Sequence, residues 1–114
     1  MSTLADIEVE RHDSAVVAHL SGEVDMTNAA FVRDELLAAV PNDALTLIVD
    51  LAGCRYLDSA AIEVIFDLAR RLGRRRQELR LVVPESSPLG RVLTLTDVNS
   101  VAPVHASLDS ALAQ

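Results

Sequence analysis

Ile7-Glu8-Val9-Glu10 alternates apolar with acidic residues, the pattern of a half-solvated edge strand, and His12-Asp13-Ser14 follows as a turn. Residues 15–20 form the next strand, and the short gap predicts an antiparallel hairpin. After Gly22-Glu23-Val24-Asp25 the period lengthens: Ala29, Val32, Leu36, Leu37 and Val40 share one face of a helix that stops at Pro41, with Asn28 as its N-cap. Residues 44–51 are almost continuously apolar and include β-branched Thr46, Ile48 and Val49, as befits a strand covered on both faces at the centre of a sheet. Arg55-Tyr56-Leu57-Asp58 reads as a connection. Ile62, Ile65, Phe66, Ala69 and Leu72 then recur at helical spacing, with Glu63, Asp67, Arg70 and Arg74 on the opposite side. A buried strand over 79–83, a short helix over 88–96, a weak strand over 101–104 and a terminal helix over 108–113 complete the pattern.

The order β-β-α-β-α-β-α-β-α predicts an α/β fold: a mixed central sheet with an N-terminal antiparallel hairpin, mainly parallel strands thereafter, and about four helices. Parallel strands set their carboxyl ends along one edge, where sites form in such sheets. That edge collects residues 21–28, 53–59 and 84–87, so Asp25 is expected beside Asp58 and Ser59 despite their separation in sequence.

Composition narrows what such a domain does. The 114 residues fit one domain spanning 1–114, and the aromatic residues are Phe31, Tyr56 and Phe66 alone, so Ala, Val, Leu and Ile must build the core. An aromatic platform for nucleic acid is excluded. Ten arginines, no lysine and seventeen acids give a net charge of −7, the wrong sign for a polyanion binder, and no direct nucleic-acid partner is expected. Residues 1–50 hold ten acids and two arginines, net −8, whereas 51–114 hold seven acids and eight arginines, net +1. The lone Cys54 forms no internal disulfide or structural zinc site, and MSTLADIEVE lacks the basic and apolar blocks of a signal peptide. With no apolar run near the roughly 18 residues of a membrane span, a cytoplasmic protein without membrane insertion is expected.

Candidate chemistry centres on Asp58-Ser59, just before the clearest helix. Either side chain can cap the free amides there. A hydroxyl at a helix start is also exposed in a positive field, where phosphate would add about −1.5 to −2 charge without unfolding the helix. As a catalytic nucleophile Ser59 lacks a G-x-S-x-G elbow and a histidine base: His12 and His19 belong to the hairpin and His105 to the C-terminal region. The histidines lack metal-ligand spacing, so no metal or catalytic residues are assigned. Glu23 reads as a solvated charge at a helix start, and Asp25 stays open between that role and acid-base work. Arg70, Arg71, Arg74, Arg75 and Arg76 cluster around Gly73, where they complement the carbonyl end of the helix or form a patch for an acidic partner or lipid headgroup. Gly53 suits a turn, and Cys54 a small inert side chain. No phosphate-cradling glycine loop is present, so the chain is expected to hold no nucleotide or other cofactor, and any kinase is another protein.

Leu20-Ser21-Gly22-Glu23-Val24-Asp25, then Leu47-Ile48-Val49-Asp50-Leu51, then Tyr56-Leu57-Asp58-Ser59-Ala60-Ala61-Ile62, and Arg91-Val92-Leu93-Thr94-Leu95-Thr96 before a short final strand, together resemble the STAS family of anti-sigma factor antagonists. The resemblance spans nearly the whole chain. It implies that Ser59 is a phosphoacceptor, flanked in space by Asp25 and Asp58. It further implies that the dephosphorylated form binds an anti-sigma factor that is also a serine kinase, releasing the sigma factor. Phosphorylation would end the association and a serine phosphatase would reset it. The family commonly reads Asp-Ser-Ser-Gly at the acceptor, where this chain has Ala60 and Ala61, and often places Thr where Asn28 stands. Alanines stiffen a first helical turn relative to glycine. The alternative is a non-phosphorylated STAS-like structural subunit of a membrane-associated complex, such as a lipid-transport ABC system, docking through the same helix with Ser59 only a helix cap.

Overall fold

The computed structural model describes residues 5–113. Residues 1–4, which open the stretch read for a targeting signal, and residue 114 lie outside the described residues. Five strands, β1 (Ala5–His12), β2 (Ala15–Val24), β3 (Thr46–Leu57), β4 (Glu78–Val82) and β5 (Val104–His105), stand in one sheet in the order β1-β2-β3-β4-β5. The β1–β2 pair is antiparallel around the tight turn at Asp13, and all later pairs are parallel, as the alternation of strand and helix demands. The mixed sheet and the four helices α1 (Ala29–Ala38), α2 (Ser59–Arg74), α3 (Gly90–Leu95) and α4 (Leu108–Leu112) match the expected fold class. A single 3-10 turn covers Val98–Ser100.

Strand alternation sends Val16, Ala18, Leu20, Leu47, Val49, Leu51, Leu79 and Leu81 to one face of the sheet. There they meet Val32 and Leu36 of α1, Ile62, Ile65, Leu68 and Leu72 of α2, and Leu93 of α3 in the main core. The opposite residues Val17, Ile48 and Val82 are covered at one end of the sheet by Leu108, Ala111 and Leu112 of α4. The central position predicted for residues 44–51 follows from this double cover: Leu47 and Ile48, adjacent in sequence and facing opposite sides, are both fully buried. Among the described residues no helix is long and apolar enough to cross a membrane.

Three expectations are corrected. The segment 55–58 is not a simple connection: β3 runs on to Leu57, pairing Tyr56 with Glu23 and Leu57 with Val24, because β2 also continues through Gly22 to Val24. Register shifts between His19 and Ser21 and between Gly22 and Glu23 absorb the irregularity. Gly53 therefore lies inside a strand, not in a turn. A Cβ there would sit 3.0 Å from the Ser21 Cβ, so the bare backbone is what lets β2 and β3 approach. The last strand is displaced to Val104–His105, since Pro103 lacks an amide to continue a ladder through 101–104.

Gln77, which sequence patterning did not single out, is buried where α2 turns into β4. Its Nε2 donates at 2.9 Å to both Pro41 O and Ala44 O, tying the α1–β3 connection to the end of α2. Arg75 adds a bond from Nη2 to Val40 O at 2.8 Å. Arg70 and Arg71 both pair with Asp67 one turn earlier, so two of the five clustered arginines have local partners, while Arg71 and Arg74 lie in the last turn, at the carbonyl end of the helix.

Candidate functional site

The carboxyl ends of β2 and β3 bring the two predicted loops together. Because β2 and β3 end in register at Val24 and Leu57, Asp25 and Asp58 leave the sheet side by side, and the Asp58 N–H donates to Val24 O at 3.2 Å. Asp58 is the N-cap of α2: its Oδ1 accepts from the Ala61 N–H at 3.0 Å, satisfying one of the orphan donors of the first turn. Its Oδ2 accepts from the Met26 N–H at 2.9 Å, across to the loop before α1. Ser59, the first residue of α2, is exposed, and its side chain makes no hydrogen bond among the described residues. Of the two capping candidates the structure thus uses Asp58 and leaves the Ser59 hydroxyl free.

The β2–α1 loop is braced from within. The Asp25 carboxylate accepts from the Thr27 N–H at 2.9 Å and the Thr27 hydroxyl at 2.5 Å. These bonds, the Thr27 hydroxyl first, hold the Asp25 carboxyl below its ordinary range, so it is ionised at neutral pH. Asn28 stands at the N-cap position of α1 but does not cap it with its side chain. Only 8% exposed, its Oδ1 accepts from the Asp25 N–H at 2.9 Å and its Nδ2 donates to Glu23 O at 3.0 Å. The capping expectation is corrected for a physical reason: the Asn28 side chain bridges Asp25 N–H and Glu23 C=O where β2 gives way to the loop, and a side chain committed to those two groups is not free to cap. The main chain starts the helix instead, with Ala29 N–H donating to Asp25 O at 2.8 Å. Thr27 went unnoticed in the sequence, although Asp-x-Thr is the local pattern of such a turn.

Between α1 and α2, beside Ser59, lies a groove of about 570 Å³ whose lining includes Met26, Ala29, Ala30, Ala60, Val64 and Phe66. Arg33 on the α1 side and Glu63, Asp67 and Arg70 on the α2 side add charge to it. Large apolar side chains stand unusually open nearby: Met26 is 80% exposed, Phe31 53% and Tyr56 50%. Ala60 lines the groove, whereas Ala61 is buried against the core, so the two alanines after Ser59 do different work. Cys54, close in sequence, is outside this surface: it is 1% exposed, burial pushes its thiol up, and it fits the inert reading.

The STAS domain pattern matches residues 6–111. The chain belongs to the STAS domain family. The anti-sigma-F factor antagonist RsfA of Mycobacterium tuberculosis is 32% identical to it over 106 residues, 91% of this chain and 82% of that protein. A crystal structure of an anti-sigma factor antagonist from Mycobacterium paratuberculosis superposes with a TM-score of 0.83 at 27% identity, covering 96% of this chain and 92% of that one. The unphosphorylated form of the anti-sigma factor antagonist SpoIIAA shares the fold, with a TM-score of 0.71 at 19% identity over 94% of this chain and 93% of that one. For this STAS domain, the match takes in both loops of the site and the groove beside them.

Proposed function

We propose that this STAS domain is an anti-sigma factor antagonist, a non-enzymatic binding module working in the cytoplasm, and that Ser59 is its phosphoacceptor. The unmodified form binds an anti-sigma factor that is also a serine kinase, and so frees a sigma factor. Phosphorylation of Ser59 by that kinase ends the association, and a serine phosphatase restores it. The observation that carries this reading is the exposed Ser59 hydroxyl, without a hydrogen-bond partner among the described residues, between Asp58, which caps α2, and Ala60, which lines the groove between α1 and α2. A dianion added there faces the ionised Asp25, the neighbouring Asp58 and, one helical turn on, Glu63, and burying it under a partner carries a desolvation cost. A difference of about 3 kcal/mol in partner affinity, over a hundredfold, suffices to move a population between bound and free. Relatives named anti-sigma factor antagonists support the partner class.

The test is a parallel capture from native cytoplasm with wild-type and Ser59→Asp baits, read by mass spectrometry. A kinase-type anti-sigma factor enriched by wild type and lost with Ser59→Asp is the expected result. A transporter ATPase retained equally by both baits would overturn the switch and make Ser59 a helix-start residue of a structural subunit.

A further inference from the structure

Capping α2 takes one oxygen of Asp58, and the structure uses both. The second reaches the Met26 amide, 32 positions back in the chain, on a residue whose side chain is the most open of the large apolar groups among the described residues. Met26 N–H has no other acceptor among the described residues. The remainder of that loop is held from inside, by Thr27 on Asp25 and by Asn28 on Asp25 and Glu23. Asp58 Oδ2 is thus the one side-chain tie between Met26 and the start of α2, and it belongs to the residue next to Ser59.

We propose that Asp58 is a positioning residue that presents Met26 to the partner while Ser59 is unmodified and releases it when Ser59 carries phosphate. The proposal rests on Ser59 being the phosphoacceptor and extends that reading from local charge to loop geometry. A phosphoryl group one residue away repels the Asp58 carboxylate, whose two oxygens hold the Ala61 and Met26 amides. The carboxylate is forced to give up one of its two bonds. The bond to Met26 is a single exposed contact between loops, whereas the bond to Ala61 is a cap reinforced by the helix dipole. The Met26 tie is therefore the one released. The partner then meets a new charge and also loses the fixed main-chain position from which Met26 is presented at the groove.

Hydrogen exchange of the Met26 and Ala61 amides, followed by NMR, tests this without the kinase. The proteins compared are wild type, a form with phosphoserine installed at position 59 during translation, and Asp58→Ser, whose single hydroxyl can cap but cannot reach both donors. Met26 is expected to exchange about fivefold faster or more in both altered proteins, the scale of one lost exposed hydrogen bond, while Ala61 stays protected in Asp58→Ser and its Tm stays near that of wild type. Asp58→Asn, which keeps one acceptor oxygen, serves if Asp58→Ser does not fold. In the binding arm, Asp58→Ser and Met26→Ala should weaken partner binding by similar factors with Ser59 uncharged. Unchanged Met26 exchange in the phosphoserine protein would overturn the coupling. Because the phosphoserine is installed by translation, a failure to find a kinase in cells is a separate result.

Discussion

Truncating Asn28 tests how the site is built. The side chain is nearly buried and makes two hydrogen bonds, from Asp25 N–H at 2.9 Å and to Glu23 O at 3.0 Å. Asn28→Ala removes both and leaves a donor and an acceptor of the main chain unpaired. At about 1 kcal/mol net per bond, with part of the added cost of stranding each partner, the loss comes to about 2–3 kcal/mol. For a domain near this size each kcal/mol moves Tm by about 4–8 °C, so melting should fall by about 8–24 °C. The helix itself survives, because Asn28 N–H and Ala29 N–H still donate to Asp25 O. Asn28→Asp separates the two bonds. One carboxylate oxygen still accepts from Asp25 N–H, but nothing donates to Glu23 O, and the loss should grow between pH 4 and pH 8 as the carboxylate ionises against that carbonyl. Urea unfolding followed by circular dichroism measures both. If Asn28→Ala unfolds within about 0.5 kcal/mol of wild type, the range of an ordinary surface substitution, the loop is not held as described.

Two further outcomes follow from groups away from the groove. His19 is partly shielded from water, which opposes its charge, but Asp50 at 2.7 Å and Glu10 at 3.6 Å outweigh this and raise it above the usual histidine range. A raised folded-state value stabilises the protein below about pH 6.5, and that contribution is lost as pH rises through the folded value; the stability gap between wild type and His19→Gln should therefore be larger at pH 5.5 than at pH 8, and a gap that widens with rising pH would contradict the pairing. Cys54 should react with a disulfide reagent in native buffer far more slowly than a free thiol and promptly in urea, given its burial; fast reaction of the folded protein would show that β3 opens at its carboxyl end.

What the sequence made legible followed from period. Ile62, Ile65 and Leu72 marked α2, and the unbroken apolar run of residues 47–49 marked the central strand, because a fully covered strand has no polar face to show. The meeting of Asp25 with Asp58 was legible from topology alone, since parallel strands end on one edge. The strand extension to Leu57 was not, because the shifts around Ser21 and Gly22 break the alternation on which strand reading depends. Gln77 and the loop role of Asn28 were hidden for another reason: each answers an unpaired main-chain group created by the path of a loop, and that path is fixed by elements far away in sequence. Thr27 belongs with them, its hydroxyl defined by Asp25 rather than by any period.

The outer strand β1 has one side paired with β2 and, by its place in the sheet, one side open. Its outward run Asp6, Glu8 and Glu10 means that two molecules meeting edge to edge would line up carboxylates across the new seam, where like charges directly opposite repel. Growth of the sheet into chains of molecules is thereby discouraged at the one border long enough to support it. Three of the ten acids that make the first half of the chain so negative thus stand along its outer edge.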